Sequence, residues 1–94
     1  MEKVLLYLAR LEAKVYDFKI KKNILQEQME VAWNEGRKHI TKNGELMPKE
    51  YMEKYNTIHR VWEECRYQEN QAQRKINVIK EMLNEIGETK WNTQ

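Results

Sequence analysis

A hydrophobic repeat that persists through most of the chain constrains its fold more than any other feature. Counted from Val4 in alternating steps of four and three, the residues are Val4, Leu8, Leu11, Val15, Phe18, Lys22, Leu25, Met29, Ala32, Gly36 and His39. Eight of these eleven are plainly apolar. A repeat averaging about 3.5 residues puts them on one stripe of a long helix, and such a stripe needs a partner helix. Restarted at Tyr51, the same count gives Tyr55, Ile58, Trp62, Cys65, Glu69, Ala72, Ile76, Ile79, Leu83 and Ile86. Two matched stripes joined by one turn predict an all-α fold, a long antiparallel helical hairpin or two-helix coiled coil.

Local signals divide residues 1–94 into one helical domain with two arms. The first helix is expected over about residues 2–40, because Pro is absent there and Gly36 falls near the end. A turn is expected over 41–47, where Asn43-Gly44 readily takes positive φ. The second helix is expected over about 48–86, with Pro48 in the first turn and Gly87 as the C-terminal cap. Residues 87–94 are then a tail, in which Trp91 is a large apolar group to leave in water. At ~1.5 Å per residue each arm spans roughly 55–60 Å.

Side-chain sizes suggest a register. If facing positions sum to about 91, Lys22 meets Glu69, and these are the charged residues on the two stripes. A lone ion pair on a coiled-coil seam aligns the helices more than it stabilises them. The same register sets Gly36 against Tyr55, Ala32 near Trp62 and Ile58, and Ala72 near Phe18, so small residues oppose large ones. The alternative lets Lys22 snorkel to water and places Glu69 at a slight bend in the polar run 66–75.

The faces away from the seam differ between the arms. On the second helix they carry Asn56, Arg60, Glu63, Tyr67, Asn70, Arg74, Asn77, Glu81 and Asn84, a solvated set. On the first they carry Leu6, Ala13, Ile20, Ile24 and Val31, with Tyr7, Trp33 and Ile40 on the flanks. A helix apolar on two sides is expected to be covered on two sides. A chain of 94 residues with one seam also has little core in reserve. Both arguments call for a partner. Either two copies pair as a homodimer into a four-helix bundle, or the first helix docks on a different protein.

Other classes find less support. Net charge is +2, and the basic excess lies in residues 1–50, with ten basic and eight acidic side chains against seven of each in 51–94. That bias is far from the dense basic stripe of a dedicated nucleic-acid binder. Even so, Arg37, Lys38, Lys42, Lys49 and Arg60 cluster near the hairpin tip among Trp33, Tyr51, Tyr55 and Trp62. Basic groups interleaved with aromatics can hold phosphate and stack on bases, so nucleic-acid contact through this tip is the second reading. The Lys14, Lys19, Lys21 and Lys22 cluster offers phosphate another place to bind.

No catalytic, metal or cofactor residues are assigned, and no small-molecule substrate is expected. His59 and Glu63 sit one turn apart, but a metal site needs at least a third ligand. The three glycines are isolated, so there is no phosphate loop. The single cysteine, Cys65, falls on the seam and reads as a small buried hydrophobe. The start of the chain lacks the layout of a signal peptide, and no run approaches the roughly 18 apolar residues of a membrane span. The expectation is a cytoplasmic, non-enzymatic protein-binding regulator: a small adaptor, inhibitor or assembly subunit. Its richness in Lys, Glu, Asn and Ile resembles that of low-GC bacterial and phage chains.

Overall fold

A computed structural model describes residues 2–43 and 47–92, with side chains described for 2–40 and 47–87. It contains two helices, α1 (Glu2–Asn43, 42 residues) and α2 (Lys49–Asn92, 44 residues). They lie side by side in an antiparallel hairpin measuring 76 × 20 × 14 Å. Both arms are long because their interiors hold no proline and are rich in helix-forming Leu, Lys, Glu and Gln.

The seam follows the heptad count. From Leu8 to Gly36 on α1, and from Tyr51 to Leu83 on α2, every counted position is buried or half-buried. The count loosens only at its ends, where Val4, His39 and Ile86 are exposed. The best-covered cluster is Leu11, Val15, Ala72 and Ile76, with Leu8 and Ile79 packed against it. Met29, Ala32 and Cys65 continue the buried line toward the turn. No large side chain among the described residues is fully buried, as expected where the core is one seam thick.

Two ion pairs tie the arms in register. The Lys22 ammonium lies 2.5 Å from the Glu69 carboxylate, with Glu69 buried and Lys22 partly open to water. Across the hairpin's edge, Lys80 Nζ stands 3.5 Å from Glu12 Oε1. The first is costly to halve because Glu69 cannot regain water. The second is exposed and contributes little. Near the turn, the His39 Nε2 and Tyr51 hydroxyl hydrogen-bond at 3.0 Å with their rings 4.8 Å apart, closing that end of the hairpin.

Several local expectations need correcting. α1 runs past Ile40 to Asn43, since nothing before Gly44 breaks it. Residues 44–46 of the expected turn lie outside the described residues, as do the side chains of Lys42 and Trp91. Pro48 precedes α2 and caps it: its carbonyl accepts from the Tyr51 and Met52 amides at 3.1 and 3.2 Å. α2 passes unbroken through 66–75, and through Gly87 to Asn92. A lone helical glycine costs only about 1 kcal/mol, and no proline follows to enforce a stop.

Gly36 packs under a neighbour that its register position does not suggest. A Cβ added there would meet Met47 Sδ at 2.7 Å and Cγ at 2.9 Å. The glycine thus lets the connecting segment fold back onto α1, with Met47 buried over it. Sequence register places Tyr55 at that level, and the atoms nearest the glycine are those of Met47.

Candidate interaction surfaces

The α1 residues singled out by sequence are exposed, but they divide into two groups. Leu6, Ala13 and Ile20 recur every seven residues and share one line of the helix. Ile24 and Val31 instead turn toward α2, where they line a groove of about 580 Å³ with Glu27, Gln28, Lys54 and Ile58. Ile24 also borders a neighbouring groove of about 240 Å³ with Lys21, Leu25, Gln28, Val61 and Cys65.

The same flank continues toward the free end of the hairpin. There Val4 and Tyr7 of α1 meet Ile79, Met82, Leu83 and Ile86 of α2 around an apolar groove of about 550 Å³ edged by Lys3. A shallower opening shares Tyr7 and Ile79 and adds Gln71, Arg74, Lys75 and Val78. Along this grooved flank, then, two apolar stretches are separated by a polar, lysine-bearing middle.

α2 contributes more to this surface than its solvated outer face suggests. Val61, Val78, Met82 and Ile86 are each about half exposed. Their signal was present in the sequence. Val61-Trp62 and Met82-Leu83 each put an apolar residue directly before a seam residue, which widens the apolar stripe toward one flank.

The opposite flank is stitched by more side-chain contacts, although it too has an opening, of about 430 Å³, where Trp33 and Tyr55 meet Gln26, Met29, Glu30 and Asn34. Trp33 packs on Tyr55 with centroids 5.6 Å apart, Tyr55 stacks on His59 at 6.1 Å, and His59 stacks on Trp62 at 6.0 Å. The Arg66 guanidinium lies 5.8 Å over the Trp62 ring and reaches Glu63 at 3.9 Å. His59 Nε2 stands 3.6 Å from Glu63 Oε1, and Gln73 donates to Asn77 at 3.0 Å. His59 and Glu63 therefore belong to this ladder, and no group of three His, Cys, Asp or Glu among the described residues could hold a metal ion.

The basic tip is less open than its composition suggests. Lys49 and Arg60 are exposed, but Lys49 lies 3.7 Å from Glu53, and neither Arg37 nor Lys38 is free of partners. Trp33, Tyr51 and Tyr55 have ring contacts within the hairpin. Cys65 is buried as a free thiol. Among the described residues, no helix is long and apolar enough to cross a membrane. Compared with known proteins, the chain matches no protein family, no curated protein and no solved structure.

Proposed function

We propose that this chain is a non-enzymatic protein–protein interaction module of bacterial or phage type: a small cytoplasmic adaptor, inhibitor or assembly subunit. It works through the apolar surface that its single seam leaves uncovered. The observation that carries the reading is the exposure of Leu6, Ile20, Ile24 and Val31 on a helix whose opposite stripe is already buried. Burying such side chains contributes about 25 cal/mol per Å² removed from water, so a complementary surface gains several kcal/mol by covering them.

A nucleoprotein subunit contacting phosphate through Arg37, Lys38, Lys42, Lys49 and Arg60 ranks second. Acidic partners and ring contacts within the hairpin already engage part of that tip. The two readings separate under substitution. Combining Ile20→Glu, Ile24→Glu and Val31→Glu is expected to abolish association, followed by light scattering, while far-UV circular dichroism stays helical. Reversing Arg37, Lys38 and Lys42 is expected to leave association intact. If association survives the apolar changes but falls with the charge reversals and steeply with salt, the interaction reading gives way to the nucleic-acid one.

A further inference from the structure

We propose that the grooved flank is an interface for a second copy of this chain, docked side by side and pointing the same way. α1 of each copy then lies over α2 of the other. The proposal rests on the reading of the chain as an interaction module, and it specifies the partner and the face.

Surface area gives the first argument. The hairpin exposes 7925 Å². A compact chain of 11.5 kDa would expose about 5,800 Å², which leaves an excess of about 2,000 Å². Covering about half of that excess on each copy would bury about 2,000 Å² in total, the size of a stable protein–protein interface.

The second argument is where the unmet surface lies. On the stitched flank the rings contact one another, and the opening beside Trp33 and Tyr55 is edged by the polar Gln26, Glu30 and Asn34. On the grooved flank the side-chain contacts include Gln68 with Glu64 within α2 and Lys21 over the Phe18 ring within α1, and Lys38 near the tip also has a partner. What remains there is apolar and concave, at the free end around Tyr7 and Met82 and farther along around Ile24 and Val61. Two hairpins meeting on this flank form a four-helix bundle in which every neighbouring pair of helices is antiparallel, a favourable dipole arrangement.

Charge favours one orientation. Asp17 shares a face with Ile24, Glu35 with Gln28, and Glu85 with Val78, each seven residues apart. With copies pointing the same way, Asp17 meets Lys75 of the second copy, Glu35 meets Lys54 and Lys3 meets Glu85, against two like-charge meetings in the same register, Lys14 with Lys75 and Lys38 with Lys54. Each meeting occurs twice by symmetry, and the apolar stretches fall on their equivalents. With copies pointing oppositely, laying one apolar stretch on the other sets Lys14 against Lys21 in both directions and Asp17 against itself. Like charges across an interface oppose docking.

The test begins with light scattering of the full chain over a range of concentrations, which is expected to give a dimer. Combining Val61→Glu with Met82→Glu should weaken the dimer by about a hundredfold or more while the helical circular dichroism persists, because a carboxylate would be buried unpaired at each site. Tyr67→Glu, on the solvated outer face of α2, should leave it unchanged.

Two further experiments do not depend on those variants. Chains carrying Asp17→Lys and chains carrying Lys75→Asp should prefer each other to themselves by a few-fold on mixing. Nitroxides on Lys49→Cys, with Cys65→Ala, should lie within roughly 35 Å of each other. Oppositely directed copies would separate them by more than about 50 Å along arms of this length. A monomer at all concentrations, a dimer indifferent to Val61 and Met82, or the long nitroxide distance overturns the proposal. If Ile20→Glu dissolves the association and the flank changes do not, the flank proposal fails and the interaction module stands.

Discussion

The two flanks of this hairpin are built from the same pair of helices, and their side chains behave differently. On one, Trp33, Tyr55, His59, Trp62 and Arg66 form a continuous ladder, and Glu12 reaches Lys80 across the helices. On the other, Tyr7, Ile24, Val61 and Met82 border open grooves. The difference teaches how a chain with one seam allocates its large side chains. Rings that contact each other make the hairpin itself more rigid. Aliphatic groups left at the lip of a groove do little for the hairpin alone and are available to another surface.

The largest expected effect lies on the seam between the flanks. Lys22→Ala should destabilise the hairpin by about 3 kcal/mol in denaturant unfolding, because Glu69 is left buried without its partner. Replacing both, Lys22→Leu with Glu69→Leu, should restore that stability or exceed it. Such a chain loses the contact that aligns the arms, and hydrogen exchange should report blurred protection on both flanks at once. Unchanged protection would mean that apolar packing alone sets the register.

A smaller effect separates the flanks directly. Tyr55→Ala removes the ring shared by Trp33 and His59 and should cost about 2 kcal/mol, less than a fully buried aromatic because Tyr55 is half-buried. Val61→Ala, a deletion at the groove lip, should cost the monomer less than about 0.5 kcal/mol. Its effect should appear as weaker association. If both substitutions cost the same in unfolding measured at low concentration, the division between a stitched and an open flank is wrong.

The architecture was legible because a seam repeat is a one-dimensional signal. Two runs of apolar residues at the same spacing, separated by Asn-Gly and Pro, leave few other solutions. The count even paired Lys22 with Glu69, whose contact the structure contains. The helix ends were harder to read, because a glycine signals a stop only when the alternative to helix is favoured. At Gly87 it is not, and the helix continues. The nearest neighbour of Gly36 was not legible for a related reason: register arithmetic knows only the two arms, and Met47 reaches it from the connection. The surface was half legible. Reading each helix alone identified the apolar side of α1, but a groove is a property of two helices together. Val61 and Met82 acquire meaning only beside Ile24 and Tyr7.

The smallest expected effect tests the flanks at matching heights along the hairpin. A double-mutant cycle on Glu12 and Lys80 should give a favourable coupling of about 0.5 kcal/mol that fades with added salt, as exposed pairs do. At nearly the same level on the grooved flank, the helical spacing sets Lys14 across from Lys75. Truncating each to Ala in a second cycle should give a coupling of opposite sign and similar size, because like charges face one another there. That repulsion is tolerable in an isolated hairpin. In the proposed dimer it is offset when Asp17 of the second copy comes up against Lys75, so the unfavourable coupling should shrink as concentration rises. A favourable Lys14–Lys75 coupling at every concentration would mean that the open flank is held by contacts of its own, and the contrast between the two sides would lose its physical basis.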